Sequence, residues 1–159
     1  MKPSASQALD SVFPTPGKSA NNPVVAGYSI GDETSDHFIR RNGIEYAGTH
    51  LILDLWNAKS LDDLALMDSV MREAVEVCNA TLLHIHLHHF TPGNGISGVA
   101  VLAESHISVH TWPERNFAAF DIFMCGNARP ERAIPVLKKA FKPSRMTIAE
   151  QLRGICEEL

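Results

Sequence analysis

The centre of the predicted fold is Gly98-Val99-Ala100-Val101-Leu102-Ala103-Glu104-Ser105-His106-Ile107-Ser108-Val109-His110-Thr111-Trp112. Residues 98–102 form a short apolar run, and residues 106–112 alternate apolar and polar side chains as a half-buried strand does. Two such runs separated by a few residues predict a β-hairpin. Its tip carries Glu104 and Ser105.

Strands are also predicted on both sides of this hairpin. They are rich in apolar and β-branched residues, and they cover residues 50–56, 81–90, 117–125 and 146–149. Gly93-Asn94-Gly95 predicts a loop before the hairpin, and Pro113-Glu114-Arg115-Asn116 predicts a turn after it.

Two amphipathic helices are predicted between the strands. Ser60 is placed to cap the first, whose apolar residues recur at three- and four-residue spacing as far as Cys78, with an end near Asn79. Pro130 favours the start of the second, and Pro143 its end. Hairpin strands with two intervening helices predict an α+β fold, a two-layer sandwich with helices on one face of an antiparallel sheet.

Residues 1–44 differ in composition from the rest of the chain. They are rich in Ser, Pro, Asn and Gly and hold few residues that could anchor a core. We therefore predict a mostly disordered leader over residues 1–44 and one folded domain over residues 45–159.

Bulk composition excludes several classes of protein. The net charge of −4 offers no basic surface for nucleic acid or an anionic membrane. No apolar run reaches the roughly 20 residues that a membrane span requires, and no secretory signal is visible. Three cysteines without a framework spacing favour reduced thiols. The expected location is the cytoplasm.

A run of histidines lies on the predicted strand 81–90. His84, His86 and His88 share one face of it because side chains alternate along a strand. Two interpretations stay open: a zinc or iron site, or a solvent-exposed polar face opposite Leu83, Ile85 and Leu87.

Ser105, His110 and Cys125 are individually weak signals. A serine nucleophile needs a histidine within hydrogen-bonding reach, and many chance pairs meet the sequence criterion. The Gly-x-Ser-x-Gly motif is absent around Ser97 and Ser105. A single strand cysteine such as Cys125 is most often buried and inert.

Their order along the chain is more specific. Glu104-Ser105-His106, His110-Thr111-Trp112-Pro113-Glu114 and Cys125-Gly126 together resemble the short prokaryotic form of S-adenosylmethionine decarboxylase. The resemblance extends over residues 46–155 and includes the segment 90–98. The leader has no counterpart in it, and the loop at residues 93–95 is one residue longer than is typical.

The resemblance implies that the chain is a proenzyme. It would cleave itself between Glu104 and Ser105, and Ser105 would become a pyruvoyl cofactor that forms a Schiff base with the substrate. His110 matches the base in this processing, and Ser97 matches a serine that assists it. Cys125 matches the proton donor in decarboxylation.

The resemblance also implies a substrate and a partner. Phe90 matches an aromatic residue that stacks on adenine, and Glu114 matches the residue that binds the ribose hydroxyls. The expected activity is decarboxylation of S-adenosylmethionine, which gives the aminopropyl donor for spermidine synthesis. The expected assembly is a homodimer with sites built from both protomers.

The sequence leaves two alternative functions open. A pyruvoyl-dependent decarboxylase of ornithine or arginine would need the same processing residues. A metal-binding module built on His84, His86 and His88 would not cleave itself.

Overall fold

The predicted hairpin lies within an antiparallel sheet. In the computed structural model, which describes residues 37–91 and 93–156, the elements follow in the order β1 (Ile39–Arg41), β2 (Ile44–Trp56), α1 (Leu64–Val77), β3 (Leu82–His89), β4 (Ile96–Leu102), β5 (Ser105–Trp112), β6 (Phe117–Met124), α2 (Ala133–Phe141) and β7 (Arg145–Ile155). Short 3₁₀ turns at Pro113–Arg115 and Pro130–Arg132 precede β6 and α2.

Seven strands make up the sheet, and all described pairings are antiparallel. Strand β2 pairs with β6 on one edge and with β7 on the other, and β6, β5, β4 and β3 follow in sequence. Strand β1 folds back on the start of β2. The hairpin β4–β5 therefore lies inside the sheet, between β3 and β6.

Alternation along the strands separates a core face from an open face. On β5, Ile107 and Val109 are buried and His110 is exposed; on β6, Phe120 and Ile122 are fully buried. These core residues form one cluster with apolar side chains of the helices, which include Met67, Met71, Ala74, Val75, Ala133, Leu137 and Phe141. The two-layer α+β sandwich expected from the sequence is confirmed.

Cys78 is part of this core. Its side chain is fully buried, and burial raises the pKa of its thiol to about 11. The thiol is therefore neutral and packs as an apolar side chain, in line with its place at the C-cap of α1, where the apolar stripe of the helix ends.

The first helix begins later than predicted. Asp63, not Ser60, is its N-cap, because the Asp63 Oδ1 atom accepts a hydrogen bond from the Leu66 backbone N–H at 2.9 Å. Ser60 lies in the preceding turn with a φ of 56°. The last strand, Arg145–Ile155, is also longer than the predicted residues 146–149.

The folded region begins before residue 45. Strand β1 is joined to β2 by Asn42 and Gly43, whose φ angles of 53° and 77° suit a two-residue type I′ turn. The predicted boundary at residue 44 therefore falls inside a hairpin. The disorder predicted for residues 1–36 lies outside the described residues.

In the part of the chain that the structure describes, no helix is long and apolar enough to cross a membrane.

Candidate active site

The tip of the hairpin β4–β5 consists of two residues. Leu102 pairs with Ser105, so only Ala103 and Glu104 make the turn. Glu104 has a φ of 63°, a left-handed conformation that is uncommon for a residue other than glycine, asparagine or aspartate. Strain of this kind persists where the surrounding structure enforces it and is frequent at functional sites. Here it lies directly before Ser105.

Ser105 contacts the end of the neighbouring strand. Its side chain is buried, with 8% of the residue exposed, and its Oγ atom accepts a hydrogen bond from the Cys125 backbone N–H at 3.2 Å. Cys125 directly follows β6, which pairs with β5 through His106 and Phe123. The sheet register thus brings together two of the residues predicted for the site.

The Cys125 thiol is protonated at neutral pH. Burial raises its pKa above the ordinary value, the nearby Glu104 carboxylate raises it further, and a hydrogen bond with Ser105 partly offsets both effects. A neutral thiol can donate a proton, whereas a thiolate would serve as a nucleophile. The environment of Cys125 therefore favours the role of acid.

A cavity of about 230 Å³ opens at this point. Glu104, Ser105 and Cys125 line it together with His37, which precedes β1. The His37 Nε2 atom lies 3.3 Å from the Glu104 Oε1 atom. His37 was not among the predicted site residues because the polar composition of residues 1–44 predicted disorder there. The Asn42-Gly43 pair was the available signal of a hairpin upstream.

The other predicted residues meet elsewhere. Ser97 of β4 and His110 of β5 are paired in register, and the Ser97 Oγ atom is 2.8 Å from His110 Nδ1. Both line a second cavity, of about 350 Å³, with Phe90, Trp112 and Glu114. Phe90 is 57% exposed.

Within one chain, Ser105 and Cys125 lie apart from the pair formed by Ser97 and His110. Ser105 and His110 are five residues apart on β5, which corresponds to roughly 17 Å at about 3.3 Å per residue. An odd separation also places their side chains on opposite faces of the sheet. His110 of the same chain is therefore too distant to act as a base for Ser105, so this pair cannot form a serine hydrolase site within one chain.

The histidine run forms an exposed face of β3. His84, His86 and His88 are exposed, and the His88 ring contacts Phe90 edge-on at 4.8 Å between ring centroids. Leu83 is 63% exposed, not buried as predicted, because the register of β3 shifts between Leu82 and His84. Across residues 37–91 and 93–156, no group of three or more His, Cys, Asp or Glu side chains could hold a metal ion.

Known proteins are similar to this chain in sequence and in fold. A sequence model described as S-adenosylmethionine decarboxylase matches residues 49–154. The chain is 45% identical over 109 residues to an S-adenosylmethionine decarboxylase proenzyme of Thermomicrobium roseum, covering 68% of this chain and 94% of the relative. It is 46% identical over 114 residues to the proenzyme of Methanococcus aeolicus, covering 70% and 97% respectively.

A solved structure agrees with these sequence matches. The crystal structure of the adenosylmethionine decarboxylase from Aquifex aeolicus superposes with a TM-score of 0.64 at 33% identity, covering 72% of this chain and 96% of that one. Matches of this extent, in sequence and in fold, place the chain in the S-adenosylmethionine decarboxylase family.

Proposed function

We propose that this chain is a proenzyme that cleaves itself between Glu104 and Ser105 and then decarboxylates S-adenosylmethionine with the pyruvoyl group made from Ser105. The observation that carries the proposal is the hairpin tip. Glu104 holds a left-handed backbone conformation, and the buried Ser105 hydroxyl next to it is bound by the Cys125 N–H. The family membership supports the same activity.

Cleavage would begin with attack by the Ser105 hydroxyl on the preceding peptide bond. Ser105 Oγ bonds to the Glu104 carbonyl carbon, the C–N bond breaks, and the hydroxyl proton passes to the Ser105 nitrogen, leaving an ester. A base then removes the Ser105 α-proton, which expels the Glu104 carboxylate and leaves dehydroalanine. Water converts this residue to a pyruvoyl group and releases ammonia. Holding the hydroxyl beside the scissile bond lowers the entropic cost of the first step.

If His110 supplies the base, as the resemblance implies, it must belong to another chain. His110 of the same protomer is roughly 17 Å from Ser105 by strand geometry and on the opposite face. We propose a homodimer in which the partner's His110 and the partner's Ser97 complete each site. Three large apolar side chains on the open face, Ile52, Val101 and Trp112, are each 41% exposed, and pairing through that face would remove them from water.

Phe90 and Glu114 suit the two ends of a nucleoside. Both line the cavity that holds Ser97 and His110. An exposed aromatic ring can stack on adenine, and a carboxylate accepts hydrogen bonds from ribose hydroxyls. In the proposed dimer, this cavity of one protomer meets the hairpin tip of the other, at the end of β5 where Ser105 lies.

The residues around Ser105 fit a pyruvoyl group. Such a group acts as an electron sink when an α-amino acid loses its carboxylate. The Cys125 thiol, neutral and adjacent to Ser105, returns a proton to the α-carbon afterwards. We expect this reaction to take place in the cytoplasm and to give an aminopropyl donor for spermidine synthesis.

The direct test measures the intact mass of the purified protein and its release of CO₂ from different substrates. Purified wild-type protein should contain two fragments, residues 1–104 and a pyruvoyl-blocked 105–159, with a carbonyl that borohydride reduces. It should release labelled CO₂ from carboxyl-labelled S-adenosylmethionine and none above background from ornithine or arginine. An intact chain without a reducible carbonyl would contradict the proposal, and release from ornithine or arginine would change the substrate.

Replacing Cys125 should separate cleavage from decarboxylation. In Cys125→Ala the backbone N–H that binds Ser105 remains, so the chain should still be cleaved. Loss of the proton donor should lower kcat about 10²- to 10⁴-fold. Cys156→Ala, which removes an exposed thiol, is the matched control and should leave both rates unchanged. A kcat for Cys125→Ala within twofold of wild type would remove Cys125 from the reaction.

A further inference from the structure

We infer that His37 is a positioning residue for self-cleavage: it joins the Glu104 tip to the segment that carries Cys125. This inference rests on the proposed function, because it concerns the rate at which the Glu104–Ser105 bond is cut. The family match begins at residue 49, so His37 comes from a part of the chain outside it.

His37 makes one contact with each side of the cavity. Its backbone carbonyl accepts a hydrogen bond from the Gly126 N–H at 2.9 Å. Its Nε2 atom lies 3.3 Å from the Glu104 carboxylate. Gly126 directly follows Cys125, and Glu104 directly precedes Ser105. One residue therefore bridges the two segments whose approach forms the hydrogen bond between Cys125 and Ser105.

Strand β1 supports His37 in this position. Its first residue, Ile39, is only 9% exposed and pairs with Tyr46 of β2. The Arg40 guanidinium contacts Glu45 at 3.0 and 3.1 Å. The Asn42-Gly43 turn fixes the register of this hairpin. The chain upstream of the family match is thus attached to the sheet immediately after His37.

The contact acts on the scissile bond through Glu104. The carbonyl that Ser105 must attack belongs to Glu104, and rotation of that residue moves the carbonyl toward or away from the hydroxyl. Binding the Glu104 side chain to His37 restricts this rotation and raises the fraction of chains with attack geometry. Because both side chains are about half exposed, at 49% and 55%, the expected effect on the rate is modest.

The effect should be confined to the proenzyme. The contact involves the side chain of Glu104, which is no longer joined to Ser105 once the bond is cut. Replacing His37 should therefore slow cleavage and leave kcat and KM, expressed per cleaved chain, unchanged. Replacing a residue that only stabilised the fold would not slow cleavage while leaving kcat and KM unchanged.

The experiment follows cleavage of the full-length chain over time after cell-free translation, on gels that separate the intact chain from residues 1–104. His37→Ala should slow cleavage about two- to fivefold, the size of effect expected when a contact between two half-exposed polar side chains is lost. His37→Gln retains an N–H donor and should recover most of the rate. Arg72→Ala is the matched control: it breaks the exposed pair with Asp68 on helix α1, away from the hairpin tip, and should cleave at the wild-type rate.

A double-mutant cycle tests the mechanism. If His37 acts through Glu104, then His37→Ala should cause no further slowing in a Glu104→Ala background. Equal slowing in both backgrounds, or wild-type cleavage by His37→Ala, would overturn the inference while the proposed function stands. Failure of the wild-type chain to cleave would overturn the proposed function and the inference with it.

Discussion

The Ser105→Ala protein should remain a single chain of 159 residues and should release no CO₂ above background from S-adenosylmethionine. Alanine has no oxygen to attack the Glu104 carbonyl, so neither the ester nor the pyruvoyl group can form. Since enzymes typically accelerate reactions by about 10⁶-fold or more, we expect a loss of at least about 10³-fold, limited by the sensitivity of the assay. Intact mass and CO₂ release measure the two parts of this result.

Ser108→Ala is the matched control for this substitution. Ser108 lies on the same strand, and its Oγ atom is 3.5 Å from the Asp121 carboxylate, away from the hairpin tip. Its loss should change neither cleavage nor kcat by more than about twofold. A Ser105→Ala protein that still separates between residues 104 and 105 would show that another group cuts the bond, and Ser105 would lose its assigned role.

The architecture followed from the sequence because its signals are local. Alternation in residues 106–112 and helical spacing from Leu64 to Cys78 each depend on a few neighbouring residues. The hairpin tip was predictable for the same reason, since only a short polar interval separates two apolar runs. The resulting sheet then placed Cys125 beside Ser105 through the register of β5 and β6.

Residues 37–44 were harder to predict. A three-residue strand such as β1 has almost no hydrophobic pattern of its own, and it depends on pairing with β2. The polar composition around it therefore predicted disorder, and His37 was missed with it. The N-cap was misplaced for a related reason: Ser60 and Asp63 both suit the position, and only the hydrogen bond to Leu66 distinguishes them.

The distance between Ser105 and His110 could be predicted from the sequence. Five residues along one strand fix both a distance of roughly 17 Å and opposite faces, whatever the rest of the fold. The resemblance to the family assigns Ser105 and His110 to the same self-cleavage reaction. Strand geometry and this assignment agree only when the two residues come from different chains.

Two inactive variants should therefore restore cleavage when they are mixed. His110→Ala alone should stay uncleaved because no chain supplies the base, and Ser105→Ala alone should stay uncleaved because no chain supplies the hydroxyl. In a mixed dimer, the His110→Ala chain contributes Ser105 and the partner contributes His110, which completes one of the two sites. With random pairing at equal expression, about half of the His110→Ala chains should be cleaved.

The design distinguishes a shared site from a site within one chain. Tags of different mass identify which chain is cut, and only the His110→Ala chain should yield residues 105–159. His110 is exposed on the open face, so its replacement should leave the fold intact, which circular dichroism can verify. As a control, His110→Ala expressed with a Ser105→Ala, His110→Ala double variant should stay uncleaved. If mixing the single variants produces no cleavage although mixed dimers form, the two cavities do not meet across a dimer, and the base for Ser105 must be sought among the residues near the hairpin tip.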